Sequence, residues 1–140
     1  MLKNKSYIIV ILFVMLKAQD KGKSTESLMF IYNAERGKIN AVLDYIHKAV
    51  SPETYECNLC KLTYDNYGKI KEWNDFIGAI SIPVKFKYRD ELDQLGLDSE
   101  TELPILLYKD KKVLLSAKKI NSFGTLKELM DALSKKLDLQ

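Results

Sequence analysis

Leu103-Pro104-Ile105-Leu106-Leu107-Tyr108, followed by Lys109-Asp110-Lys111-Lys112 and then Val113-Leu114-Leu115, is the stretch whose reading decides the fold. Two short apolar runs flank a charged turn, which is the pattern of a β-hairpin. Downstream, Leu126, Leu129, Met130, Leu133 and Leu137 recur at helical spacing within residues 122–137 and give a helix with one apolar face. Upstream, residues 83–88 alternate at period two, as a strand does. Residues 90–97 hold a short helix that Arg89-Asp90-Glu91 caps and Gly96 breaks. Before it, Ile70, Trp73, Phe76, Ile77 and Ile80 place an amphipathic helix over residues 69–80, with Trp73 in the core. The compact apolar run Leu28-Met29-Phe30-Ile31-Tyr32 is a buried strand, and residues 33–37 turn the chain. A further helix starts at Lys38, with Ile39, Val42, Leu43, Ile46 and Val50 on its apolar face. Pro52 ends it by disfavouring a helical Ser51.

The order is strand, helix, linking segment with an extra helix, strand, short helix, hairpin, helix. Strands alternating with helices imply an α/β sheet in three layers. With a proline at the entrance of the hairpin and a helix at the end, residues 28–137 resemble the thioredoxin fold. That resemblance implies an α/β/α arrangement around a mixed four-stranded sheet, with Pro104 as the cis proline of the fold. An X-Pro bond is where a cis peptide costs little. One departure stands out. In a thioredoxin the Cys-x-x-Cys pair caps the first helix, just after the first strand. Here that position is Gly37-Lys38-Ile39-Asn40, and Cys57 and Cys60 follow about 20 residues later. The resemblance carries over Pro104 as a structural match and leaves the family's catalytic cysteines behind.

The chemistry-bearing residues concentrate in Ser51-Pro52-Glu53-Thr54-Tyr55-Glu56-Cys57-Asn58-Leu59-Cys60-Lys61-Leu62-Thr63-Tyr64, a displaced Cys-x-x-Cys segment. Together with Tyr32-Asn33, Gly37, His47-Lys48, Trp73, Arg89-Asp90-Glu91 and Leu103-Pro104, it resembles a family of small uncharacterised bacterial proteins. That family's pattern has a histidine where this chain has Tyr88, and the resemblance implies no activity.

Three readings of the cysteines stay open. In the first, the pair exchanges disulfides with protein thiols: Cys57 attacks and Cys60 resolves. Such a thiol needs a lowered pKa; Lys61 and a helix starting near Asn58 favour that, and Glu56 opposes it. In the second, the pair is a structural disulfide, or two small buried side chains, in a non-catalytic binding domain. In the third, two thiolates join His47 and Asp44, which share a helix face, in a four-coordinate metal site. Lys61 follows Cys60 where a haem-attachment motif has histidine, and the reading calls for no cofactor. Tyr55, Tyr64 and Tyr67 are read as packing.

Several functions are excluded on composition. Gly37-Lys38 lacks the flanking Gly and Ser/Thr of a phosphate-binding loop, since Tyr32 and Ile39 stand there. No Ser-His-Asp arrangement stands out around the single histidine, His47. The chain has 22 basic and 19 acidic residues, but Lys3, Lys5 and Lys17 lie in the first 18 residues, leaving 19 against 19. A nucleic-acid binder keeps a basic excess on its folded part, so nucleic acid is not an expected partner.

At 140 residues the chain suits one domain. Lys3 and Lys5, the ten-residue apolar run over 7–16 and Ala18-Gln19 match the regions of an export signal, and the run is too short to span a bilayer. The expectation is a signal over residues 1–18, a linker over 19–27 and the thioredoxin-like domain over 28–140. The mature protein would be periplasmic or secreted and off the membrane, a setting that suits disulfides. The alternatives are a buried strand in a cytoplasmic protein or an uncleaved anchor.

Overall fold

β1 (Leu28–Tyr32) lies inside the sheet, and all five of its residues are buried. A run with no charged side chain is stable in a strand only when both faces are covered. The structure is a computed structural model that describes residues 26–41 and 57–138. The other elements are α1 (Asn58–Thr63), β2 (Tyr64–Asp65), β3 (Gly68–Lys69), α2 (Lys71–Gly78), β4 (Val84–Tyr88), a 3-10 turn (Arg89–Glu91), β5 (Ile105–Tyr108), β6 (Lys112–Leu115), α3 (Ala117–Asn121) and α4 (Leu126–Asp138). Residues 39–41 are helical.

The larger sheet runs β4-β1-β5-β6. β4 pairs with β1 in parallel, from Leu28↔Val84 to Tyr32↔Tyr88. β5 pairs with β1 antiparallel, from Leu28↔Tyr108 to Ile31↔Ile105, and β6 continues antiparallel beside β5. A parallel pair joined by a long crossover, then a hairpin and a terminal helix, is the thioredoxin-like topology in three layers. The Leu103–Pro104 peptide bond is cis and Pro104 is buried, directly before β5. The three-residue β5–β6 loop, residues 109–111, places Lys109 and Asp110 at φ 52° and 63°, and the Lys111 N–H donates to the Tyr108 carbonyl at 3.2 Å.

Alternation along β1 sorts the core into two layers. Leu28, Phe30 and Tyr32 face one side with Leu59, Trp73, Leu106, Ile120, Leu129 and Leu133. Met29 and Ile31 face the other with Leu92, Ile105 and Leu107, under Leu95, Leu97 and Leu103. The first layer is the thick one, built from helices. The second is covered by the chain after β4.

Three boundaries differ from expectation. The helix expected over 69–80 begins at Lys71, because residues 64–69 close a small hairpin of β2 and β3. Asp65 Oδ1 accepts the Tyr67 N–H at 2.8 Å and Gly68 adopts φ 120°, so the turn is local. The short helix expected over 90–97 is one 3-10 turn followed by backbone-bonded turns, with Gly96 at φ 68°. The terminal helix starts at Leu126, later than the expected Ser122. There the Glu128 N–H donates to Thr125 Oγ1 while Glu128 Oε2 accepts the Gly124 N–H. A separate α3, capped by Ser116, precedes it.

Candidate functional site: the cysteine helix

α1 is a six-residue helix whose N-cap is Cys57. Cys57 Sγ accepts the Cys60 N–H at 3.3 Å, the geometry an N-cap serine oxygen would take. The same sulfur is bonded to Cys60 Sγ, across a Cα–Cα distance of 5.3 Å within the usual disulfide range. Both cysteines are 0% exposed and belong to the thick core layer with Leu59, Ile120 and Leu129. The structure therefore carries a buried structural disulfide on a thioredoxin-like scaffold.

Asn58, between the two sulfurs, seats the helix. Its Nδ2 donates to the carbonyls of Ile120 and Phe123, each at 2.9 Å, and it is buried. One amide thus uses both its hydrogens to tie α1 to the α3–α4 junction. At the other end, Thr63 Oγ1 donates to the Leu59 carbonyl at 2.7 Å. Its proton being spent, it accepts from the Tyr32 hydroxyl at 3.1 Å. The chain then leaves the helix through an extended Tyr64.

Tyr32 connects this helix to β1. Burial pushes its hydroxyl pKa far above the ordinary tyrosine value, outweighing the hydrogen bond to Thr63. Tyr64 packs edge-on against it at 5.7 Å and Tyr88 stacks at 5.9 Å, and burial raises the Tyr64 pKa as well. Trp73 is fully buried beside Phe30, as its helical spacing requires. Its Nε1–H has no hydrogen-bond acceptor among the described residues. With their pKa values raised, the Tyr32 and Tyr64 hydroxyls are neutral at physiological pH.

The exit of β1, where a thioredoxin carries its cysteines, is built from charges instead. The Ala34 carbonyl accepts the Arg89 N–H at 3.0 Å, and the Arg36 N–H donates to Asp90 Oδ1 at 3.0 Å. The Arg36 guanidinium meets Glu91 Oε1 at 2.5 Å, and Lys87 Nζ reaches the same oxygen at 3.4 Å. Glu91 Oε2 takes the Tyr88 N–H at 3.0 Å. With its side chain only 7% exposed, Glu91 is a buried carboxylate satisfied on both oxygens. Asp90 and Glu91 thus clamp the loop after β1 to the end of β4. Arg89-Asp90-Glu91, expected to cap a following helix, instead forms the 3-10 turn itself; Tyr88 is its N-cap, and Glu91 reaches back to the Tyr88 N–H.

Of the residues singled out from the sequence, Cys57 and Cys60 come together as a disulfide, and Pro104 stands at the head of β5. Tyr64 is half-buried packing, while Tyr67 is 99% exposed at a turn. His47 and Asp44, offered as metal ligands with the cysteines, lie outside the described residues, as do Tyr55 and Glu56. Among the described residues no group of three or more His, Cys, Asp and Glu is placed to hold a metal. With the S–S bond closed, neither sulfur is a thiolate donor. The long-range hydrogen bonds of Asn58, Thr63 and Tyr32 were not foreseen. Their partners lie 31 to 65 residues away, and no local pattern signals them. Comparison of the chain with protein-family models, with curated proteins and with solved structures gave no match.

Proposed function

We propose that this is a non-catalytic, thioredoxin-like binding domain in which the Cys57–Cys60 disulfide is a structural staple. The observation that carries the reading is the complete burial of both cysteines. Disulfide exchange needs a thiolate to reach a sulfur of the existing bond. Bringing a charged thiolate into an apolar core incurs its desolvation, which is large for an unpaired charge. A closed loop this short removes about 2 kcal/mol of unfolded-state entropy, enough for a structural role. The test is an insulin-reduction assay on the full chain with dithiothreitol as reductant. The expected rate equals the dithiothreitol background; a rate well above it, lost in Cys57→Ser, overturns the proposal.

One observation favours thiol–disulfide exchange as the second reading. The Cys60 N–H points at Cys57 Sγ, and such a bond stabilises a thiolate and lowers its pKa. Protein thiols or disulfides would then be the partners. The likeness of residues 51–64 to small uncharacterised bacterial proteins supports attention to these residues and adds no activity. Export, inferred from residues 1–18, would keep the pair oxidised. On that reading the mature protein begins at or near Gln19. An intact Met1 on cytoplasmic protein removes it.

A further inference from the structure

The balance of 19 basic against 19 acidic residues hides a segregation along the chain. From Lys109 to the end there are eight lysines against four acidic residues, a net of +4; residues 19–108 carry 11 basic against 15 acidic, a net of −4. The fold gathers the basic part around one sheet edge. β6 pairs only with β5 among the described residues, so its outer row of backbone groups faces away from the sheet. Beside it runs a groove of about 560 Å³ toward α4, with Val113, Leu115 and Ala132 on its floor and Lys119, Lys135 and Lys136 on its walls.

Two features separate this edge from an ordinary charged surface. First, its lysines are uncompensated. Lys85, Lys87, Lys109 and Lys127 all make ion pairs, whereas Lys112, Lys118, Lys135 and Lys136 make none among the described residues. Lys135 and Lys136 stand in the last turn of α4, where the helix dipole favours a positive charge. Second, the edge presents an apolar side chain: Val113 is 51% exposed between the exposed Lys112 and the buried Leu114. Lysine on an edge strand keeps like edges apart. A second copy of this chain is thereby a poor occupant, because two β6 edges would bring two groups of lysines together.

We propose that the outer edge of β6 and the lysine-walled groove beside α4 dock an acidic, extended peptide segment, which adds to the sheet as a further strand next to β6. Main-chain hydrogen bonds to β6 would supply register, alternate apolar side chains would fill the floor, and carboxylates on the segment would meet Lys112, Lys119, Lys135 and Lys136. The apolar floor distinguishes this occupant from nucleic acid, whose affinity rests on phosphate contacts and needs no such floor.

The experiment measures fluorescence anisotropy of the full-length protein with a labelled heptapeptide alternating glutamate and valine. The comparison probes are its lysine–valine counterpart, the same acidic peptide N-methylated on alternate amides, a single-stranded DNA and anionic phosphatidylserine vesicles. The acidic peptide is expected to bind at least tenfold tighter than every other probe, and to weaken about tenfold in Lys135→Glu/Lys136→Glu. Both positions are exposed, so an unchanged Tm shows that the variant is folded. Absence of binding by the acidic peptide, undiminished binding after N-methylation, or tighter binding of DNA or vesicles overturns the proposal.

Discussion

Two regions of this molecule do similar mechanical jobs with opposite materials. At the exit of β1, residues 33–38 are held by Arg36, Arg89, Asp90 and Glu91, with the guanidinium of Arg36 largely in water. At α1, Cys57, Asn58 and Cys60 are held by a covalent bond and a neutral amide, all buried. A thioredoxin puts its sulfurs in the first of these places, where a partner can reach them. Here that place is occupied by a clamp of charges, and the sulfurs sit in the second. The difference separates frame from chemistry. The sheet needs the apolar run of β1, the parallel partner β4 and the Leu-Pro entry of β5. Nothing in it requires the sulfurs to stand at the surface.

The comparison can be broken most readily at Asn58. Asn58→Ala leaves the Phe123 carbonyl without its donor and opens a small void, at a cost of about 3 kcal/mol in urea unfolding. Next comes the pair itself. Cys57→Ala/Cys60→Ala should cost about 2 kcal/mol, a fall of about 5–10 °C in Tm, with near-native circular dichroism. A double variant as stable as wild type would mean that the disulfide staples nothing.

Tyr32 bridges the two regions and gives a smaller, pH-dependent effect. Its folded pKa is raised by burial above the unfolded value of 10.0, so its contribution is complete below pH 10 and is lost as pH rises beyond it. One unit above, at pH 11, the loss from this group is on the order of 1 kcal/mol. The decline between pH 9 and pH 11 should therefore be shallower in Tyr32→Phe than in wild type; parallel declines would refute the assignment. The charged clamp should matter least. Glu91→Gln keeps the Tyr88 N–H satisfied and costs about 1 kcal/mol, and Arg36→Ala, at an exposed position, costs about 0.5 kcal/mol. If Glu91→Gln exceeded Asn58→Ala, the contrast between a light clamp and a heavy seat would be reversed.

How much of this was legible in the sequence follows from range. β1, β4, α2, the β5–β6 hairpin and α4 announce themselves through periodicity, because each buries its own apolar face. Pro104 marks the fold because a proline before a strand leaves few alternatives. The β2–β3 hairpin was visible in Asp65-Asn66-Tyr67-Gly68 but was overshadowed by the cysteines beside it. Ser116 before Ala-Lys-Lys was a cap signal for α3. The state of the cysteines was not legible at all, since Cys-x-x-Cys reads the same at a surface or in a core. Burial is decided by Ile120 and Leu129, about 60 to 70 residues away. The reach of Glu91 to Arg36, across two parallel strands, is hidden for the same reason.

The amide of Asn58 has a consequence in time. Its acceptors, the carbonyls of Ile120 and Phe123, are made 62 and 65 residues after it. At synthesis rates of about 5–20 residues per second, roughly 3 to 13 seconds pass between the emergence of the anchor and that of its anchorage. Until then the Asn58 amide lacks its acceptors, and Cys57 and Cys60 lack the Ile120 and Leu129 side chains that share their core.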